Sequence, residues 1–327
     1  MSPAQDDFPR SGITGRLWLV WALVSAGVLV FLFARDFRPA QPSQPEVVAY
    51  CAQDQEYAEP IFGDFERETG CKVLAVYDSE AVKTVGLANR LLAERHNPQC
   101  DLFWGNEEMR TRQLAVQQVF RATNSWVALG YRSRRIVINT NLLALSAAPA
   151  SLLELTNAAW QGRIALAYPQ FGTTSTHFHA LRQLWGDAAW QAWCRALAAN
   201  KPFLVDGNSV VVKLVGQGEA WLGLTDSDDI AAGQREGLPI VALPMTPETL
   251  LIPNTVAVIG AAPHSRRAEA LFEYLQRPEV IQRLVEARAL EAGNTAGAAS
   301  GTLNPDWATL IHDLAPVTVT LNEIFLR

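Results

Sequence analysis

The sequence predicts an α/β fold built on mainly parallel sheets and preceded by one N-terminal transmembrane helix. From Val47 onward, short apolar runs alternate with longer amphipathic stretches, and several of these runs end in clusters of polar residues. Near the N-terminus an unbroken apolar run stands apart from that alternation.

That run, Leu17 to Ala34, is uncharged over 18 residues. As a helix it spans about 27 Å, close to the thickness of a bilayer's hydrocarbon core. Arg10 and Arg16 precede it, which suits a cytoplasmic N-terminus and an exported remainder. It ends in bulky Phe31, Leu32 and Phe33 rather than the small residues of a cleavage site, so an uncleaved signal-anchor is expected. The expected order is a cytoplasmic segment over 1–16, the anchor over 17–34 and a proline-rich linker over 35–46.

The pattern after the linker reads as strand 47–50, helix 57–69 closed by Gly70, strand 72–77, helix 82–95 and strand 100–104. Further strands are expected at 135–139, 163–168, 221–225 and 255–259, with helices around 178–185, 188–199, 266–276 and 279–287. Sheets of this kind take ligands beyond the carboxyl ends of their strands.

Net charge is −6 without a basic stripe, which argues against nucleic acid as a partner. The four cysteines are too few and scattered for a disulfide framework, although a Cys71–Cys100 bridge is open outside the cytoplasm. GxSxG, HExxH, P-loop and GxGxxG motifs are absent. His177 and His179 are two residues apart and would point to different sides of a helix. An enzyme is not expected. Cys51 with His177 is the one nucleophile–base pair that an enzymatic use of the fold would have.

Four strand ends gather candidate binding residues. Cys51, Gln53 and Asp54 follow the first strand, and Asn106 and Glu107 follow the third. Gly172, Thr173, Thr174 and Ser175 join a strand to a helix, where free N–H groups and hydroxyls suit an anion. Asp226, Asp228 and Asp229 follow the strand WLGLT and suit a cation or an amine. Each also has a plain structural reading as a cap, a turn or a solvated first-turn acid.

These elements resemble the periplasmic ferric-iron-type solute-binding proteins of ABC transporters, within the type II periplasmic-binding fold. The segments that carry the resemblance are VVAYCAQDQEYAEPIFGDFERETGCKV, CDLFWGNE, WQGRIALAYPQFGTTSTH, GNSVVVKLVGQGEAWLGLTDSDD and NTVAVIGAAPHSRRAEALFEYLQRPE, over about residues 46 to 290. The resemblance implies a two-lobed type II periplasmic-binding-protein-like fold, crossed near 138–141 and 253–255. The first lobe would be 47–140 with 255–327, and the second 141–254. It also implies a monomer that closes on its solute by hinge motion, partnered with a membrane permease.

The ligand set departs from that family's pattern. Its iron-binding members present two adjacent tyrosines after the strand that reads WLGLT here, and the matching positions are Asp228 and Asp229. A histidine found after the first strand in some members is matched by Asp54, and an acidic position falls near Asn106 or Glu107. The resulting oxygen set of Asp54, Glu107, Asp228 and Asp229 suits a hard cation held with an anion, as transported ligand rather than cofactor. An amine-bearing phosphonate or organophosphate suits the same residues, and a membrane-anchored sensor is a rival of another class.

Overall fold

The first apolar run forms strand β1 (Glu46–Cys51), and its alternation sorts side chains onto two faces. Val47, Ala49 and Cys51 enter one buried cluster, whereas Tyr50 enters another on the opposite face. Helix α1 (Gln55–Thr69) lays Tyr57, Ala58, Ile61, Phe62 and Phe65 on the first of these faces. It stops at Gly70, whose φ of 68° is the left-handed conformation that glycine tolerates. β2 (Lys72–Val76), α2 (Lys83–Glu94), β3 (Leu102–Gly105) and α3 (Glu108–Val116) follow.

The structure, a computed structural model, describes residues 44–77, 83–122, 126–293 and 301–326. The expected segments 1–16 and 17–34, and the linker up to residue 43, lie outside them. Among the described residues no helix is long and apolar enough to cross a membrane.

Strand β4 (Trp126–Asn139) and strand β9 (Leu251–Val258) run between the lobes. The first half of β4 pairs antiparallel with β9, and its second half pairs with β7 (Leu222–Asp226) and β8 (Ile240–Ala242). The second lobe adds β5 (Ile164–Ala167), α4 (Gly172–Trp185), α5 (Asp187–Ala199), β6 (Phe203–Val205), α6 (Asn208–Gln217) and α7 (Ser227–Arg235). Ile164 and Leu166 of β5 enter one cluster and Ala165 and Ala167 the other, so this sheet is also covered on both faces. Helices α8 (Ser265–Leu275), α9 (Pro278–Glu286), α10 (Trp307–His312) and α11 (Leu314–Phe325) complete the chain.

The sheet runs β2-β1-β3-β9-β4-β7-β5-β6, with β8 beside β4. The expected two-lobed architecture is present, but the pairing is mixed rather than mainly parallel. β1 pairs parallel with β2 and β3, and β5 pairs parallel with β6 and β7. Every pairing made by β4 or β9 is antiparallel, the one between the two crossing strands included. Ile138 and Asn139 already pair with second-lobe strands, so β4 passes between lobes earlier, near Ser133. The C-terminal tail departs from the expected first lobe: Val317, Leu321 and Phe325 of α11 pack with Phe178 and Trp193 of the second-lobe helices. Apolar periodicity marks a helix but not the core it joins.

Candidate functional site

β1, β3, β5 and β7 all end at the seam between the lobes, and Asp226 is the hub of that seam. It is the last residue of β7 and is 1% exposed. Its Oδ1 accepts from Arg134 Nη1 at 2.7 Å. Its Oδ2 accepts from Arg132 Nε at 3.2 Å, Thr173 Oγ1 at 2.8 Å and Asn208 Nδ2 at 3.1 Å. Burial alone would raise the Asp226 pKa, but the two guanidinium groups outweigh it and hold the carboxyl below its ordinary range. Both oxygens of Asp226 are therefore engaged by the protein itself.

Asp228 stands differently. Its carboxylate ion-pairs with Arg132 at 3.5 Å through Oδ2, while its buried Oδ1 finds no hydrogen-bond partner among the described residues. Burial pushes its pKa up to about 7, helped by the Asp226 and Asp54 carboxylates and opposed by Arg132. Arg132 Nη1 is likewise buried without a hydrogen bond. Burial works against the charge on Arg132, yet Asp228, Asp226, Asp54 and Asp229 raise its pKa above the ordinary arginine value. Carboxylate oxygens of Asp226, Asp228 and Asp229 lie within 4.8 Å of one another. This acidic cluster thus carries its own counter-ions, inserted from β4.

Asp54 occupies the N-cap position of α1, where its backbone carbonyl accepts from Tyr57 and Ala58 N–H, and its side chain makes no cap bond. Glu107 instead caps α3: Oε2 accepts from the Met109 N–H at 2.9 Å and Oε1 from the Arg110 N–H at 3.1 Å. Oε2 also accepts from Thr176 Oγ1 at 2.9 Å, across the seam. Burial raises the Glu107 pKa against the opposing pull of Arg110.

The FGTTST segment starts α4. Gly172 takes φ 54°, a left-handed turn at the helix entrance. Thr173 is bound to Asp226 and Thr176 to Glu107, while Ser175 Oγ is buried without a partner among the described residues. Gly172, Thr173 and Thr174 lie in the first turn, where N–H groups have no intrahelical acceptor. The hydroxyls expected to face an anion are thus partly spent on closing the seam.

The remaining expected residues divide. Gln53 is buried, its Oε1 accepts from Asn254 Nδ2, and its Nε2 has no partner among the described residues. Asn106 gives its backbone carbonyl to Arg132 Nη2 at 2.9 Å. Cys51 sits in the first-lobe core, its thiol meeting the Gln53 carbonyl at 3.6 Å. His177 Nε2 bonds the Glu248 carbonyl, and burial beside Arg134 lowers its pKa to about 3. The Cys51–His177 pair is not assembled, because each has turned to a different partner. The cysteines are free and buried, so no Cys71–Cys100 bridge forms.

Sequence reasoning missed Arg132, Arg134, Asn208, Asn254 and Tyr57. Arg132 and Arg134 are two apart on β4, which places them on one face of the strand. That spacing was readable, but which acids they would meet was not.

Two α/β lobes joined by crossing strands, with buried polar groups converging between them, define a two-lobed solute-binding protein. The chain belongs to the bacterial extracellular solute-binding protein family, whose model matches residues 47–287. It is 25% identical over 284 residues to the major ferric iron-binding protein of Neisseria meningitidis, covering 79% of this chain and 84% of that one. Among solved structures, iron-bound HitA from Pseudomonas aeruginosa superposes with a TM-score of 0.71 at 19% identity, covering 85% of this chain and 98% of that one. AfuA from Actinobacillus pleuropneumoniae, with fructose-6-phosphate bound, gives 0.73 at 18% identity, covering 87% of this chain and 99% of that one. Family and neighbours are binding proteins rather than enzymes.

Proposed function

We propose that the protein is the extracytoplasmic solute-capture component of an ABC importer, closing its lobes around a small polar solute that presents a cationic centre beside an anionic group. One observation carries this reading. Asp228 Oδ1 and Arg132 Nη1 are buried without hydrogen-bond partners among the described residues. Nη1 meets Asp228 only through the 3.5 Å ion pair to Oδ2, so the seam offers one unbonded acceptor beside a guanidinium held by charge alone. Buried groups of this kind are costly unless a ligand completes them.

A metal ion held with an anion meets that description, and the names of the ferric iron-binding relatives support it. The cation would meet Asp228, Asp229 and Asp54, and the anion would meet Arg132 and the first turn of α4. The second reading is an amine-bearing phosphonate or organophosphate. It is favoured by the engagement of Asp226 and Glu107, which leaves few carboxylate oxygens for a hard cation that takes six or more. The AfuA structure, with a sugar phosphate bound, is in keeping with it.

A thermal-shift screen with ferric citrate, ferric phosphate, aminoalkylphosphonates and polyamines tests both. A melting temperature that rises with concentration identifies the class, and no shift with any of them would overturn the reading. The membrane tether rests on the apolar run 17–34. Retention of the chain in carbonate-washed membranes supports it, and release into the soluble fraction counts against it.

A further inference from the structure

Helix α7 holds Asp228 and Asp229 in its first turn and ends on Arg235. Facing it from the first lobe, helix α1 is capped at Asp54 and carries Glu56 and Tyr57 immediately inside. Each helix therefore has a site carboxylate at its start and a polar group farther along. Arg235 reaches over the seam to three acceptors. Its Nη2 donates to Tyr57 Oη at 2.7 Å and its Nη1 donates to the Ala287 carbonyl at 3.0 Å. Its guanidinium also lies 3.7 Å from a Glu56 carboxylate oxygen and 5.7 Å from the centre of the Tyr57 ring. Ala287 closes α9, so its carbonyl stands at a helix C-terminus, where a cation is favoured.

We propose that Arg235 is the latch of the cleft: a second-lobe residue that grips α1 and the end of α9 and sets the fraction of closed protein before solute arrives. A cavity of about 630 Å³ lies at this seam, lined by Tyr57, Arg235 and Arg288, so the latch sits where solvent meets the lobes' junction. Arg235 ends the same helix whose first turn carries Asp228 and Asp229, so the latch and those carboxylates move with one element.

An exposed ion pair contributes little to folding. Open and closed forms of a hinged protein, however, differ by only a small free energy, so one charge-assisted cluster across the mouth shifts their ratio. When the closed state is only part of the population, apparent affinity falls by that fraction. Arg235 is in this sense a positioning residue, acting through lobe closure. The inference rests on the hinge closure proposed above.

The test reads lobe separation in the solute-free full chain by single-molecule energy transfer. Dyes go on Lys72→Cys and Lys213→Cys, which are exposed positions on the two lobes, while the native cysteines are buried. Arg235→Ala should lower the closed-to-open ratio about fivefold, the net weight of one ordinary hydrogen bond at a partly exposed site. Tyr57→Phe, which keeps the ring and removes the acceptor, should shift the ratio the same way by less, and the double variant should add little to Arg235→Ala. Transfer distributions that coincide in wild type, Arg235→Ala and Tyr57→Phe overturn the latch. Because no solute is added, that result is separate from a failed thermal-shift screen, which would strike the capture reading instead.

Discussion

Thr176 of the second lobe donates its hydroxyl to Glu107 Oε2 of the first at 2.9 Å, with both side chains buried. The carboxylate that starts α3 is thus shared between capping its own helix and holding the opposite lobe. Glu107→Ala should remove the cap, which is worth about 1 kcal/mol, and leave the Thr176 hydroxyl only its longer bond to the Gly172 carbonyl at 3.3 Å. Urea denaturation should show a larger loss for Glu107→Ala than for Glu107→Gln, which keeps a carbonyl acceptor. Equal stability of the two variants would mean that the shared bond contributes nothing.

Asp226 neutralises two arginines that are themselves buried. Asp226→Ala leaves those guanidinium groups without their central partner and should destabilise the protein by about 3–5 kcal/mol. Asp226→Asn keeps the shape and an acceptor and should lose less. Denaturant midpoints decide it: a mild effect of the alanine variant would show that Asp228 and water compensate.

Asp228 and His177 give opposite pH dependences. The Asp228 pKa is raised from 3.8 to about 7 in the folded state, so its contribution to stability is present at low pH and declines as pH rises through about 7. The His177 pKa is lowered from 6.5 to about 3, so its contribution is present above pH 6.5 and declines as pH falls toward 3. Asp228→Asn should flatten the loss between pH 4 and pH 7, and His177→Gln should flatten the gain between pH 3 and pH 6.5. Melting curves at closely spaced pH values in the two variants separate these slopes, and unchanged slopes would refute the assignments.

For any solute that raises the melting temperature, replacing Asp228 and Asp229 with Ala should abolish the shift. Arg132→Met should weaken the binding of an anion-bearing solute more than that of a bare cation. Calorimetric titration of the variants checks both, and undiminished affinity in the double-alanine variant would move the site elsewhere.

The order of strands and helices was legible in the sequence because apolar periodicity is local. VVAY and IALA show their burial in four residues. The positions of the site loops were legible too, since residues after parallel strands must lie at one sheet edge. By itself, then, the sequence determined an α/β chain with polar strand ends and an apolar N-terminal run.

Only the tertiary structure decided which charges meet. Asp226 looked like a free carboxylate for a solute, yet Arg132 and Arg134, some ninety residues earlier on β4, consume both of its oxygens. Glu107 looked like a ligand and is a cap bound to Thr176. Arg235, which no sequence pattern singles out, spans the lobes. Hydrophobic pattern is written in neighbouring residues, but the pairing of a buried charge depends on which distant strand is brought beside it, and that contact exists only once the chain has folded.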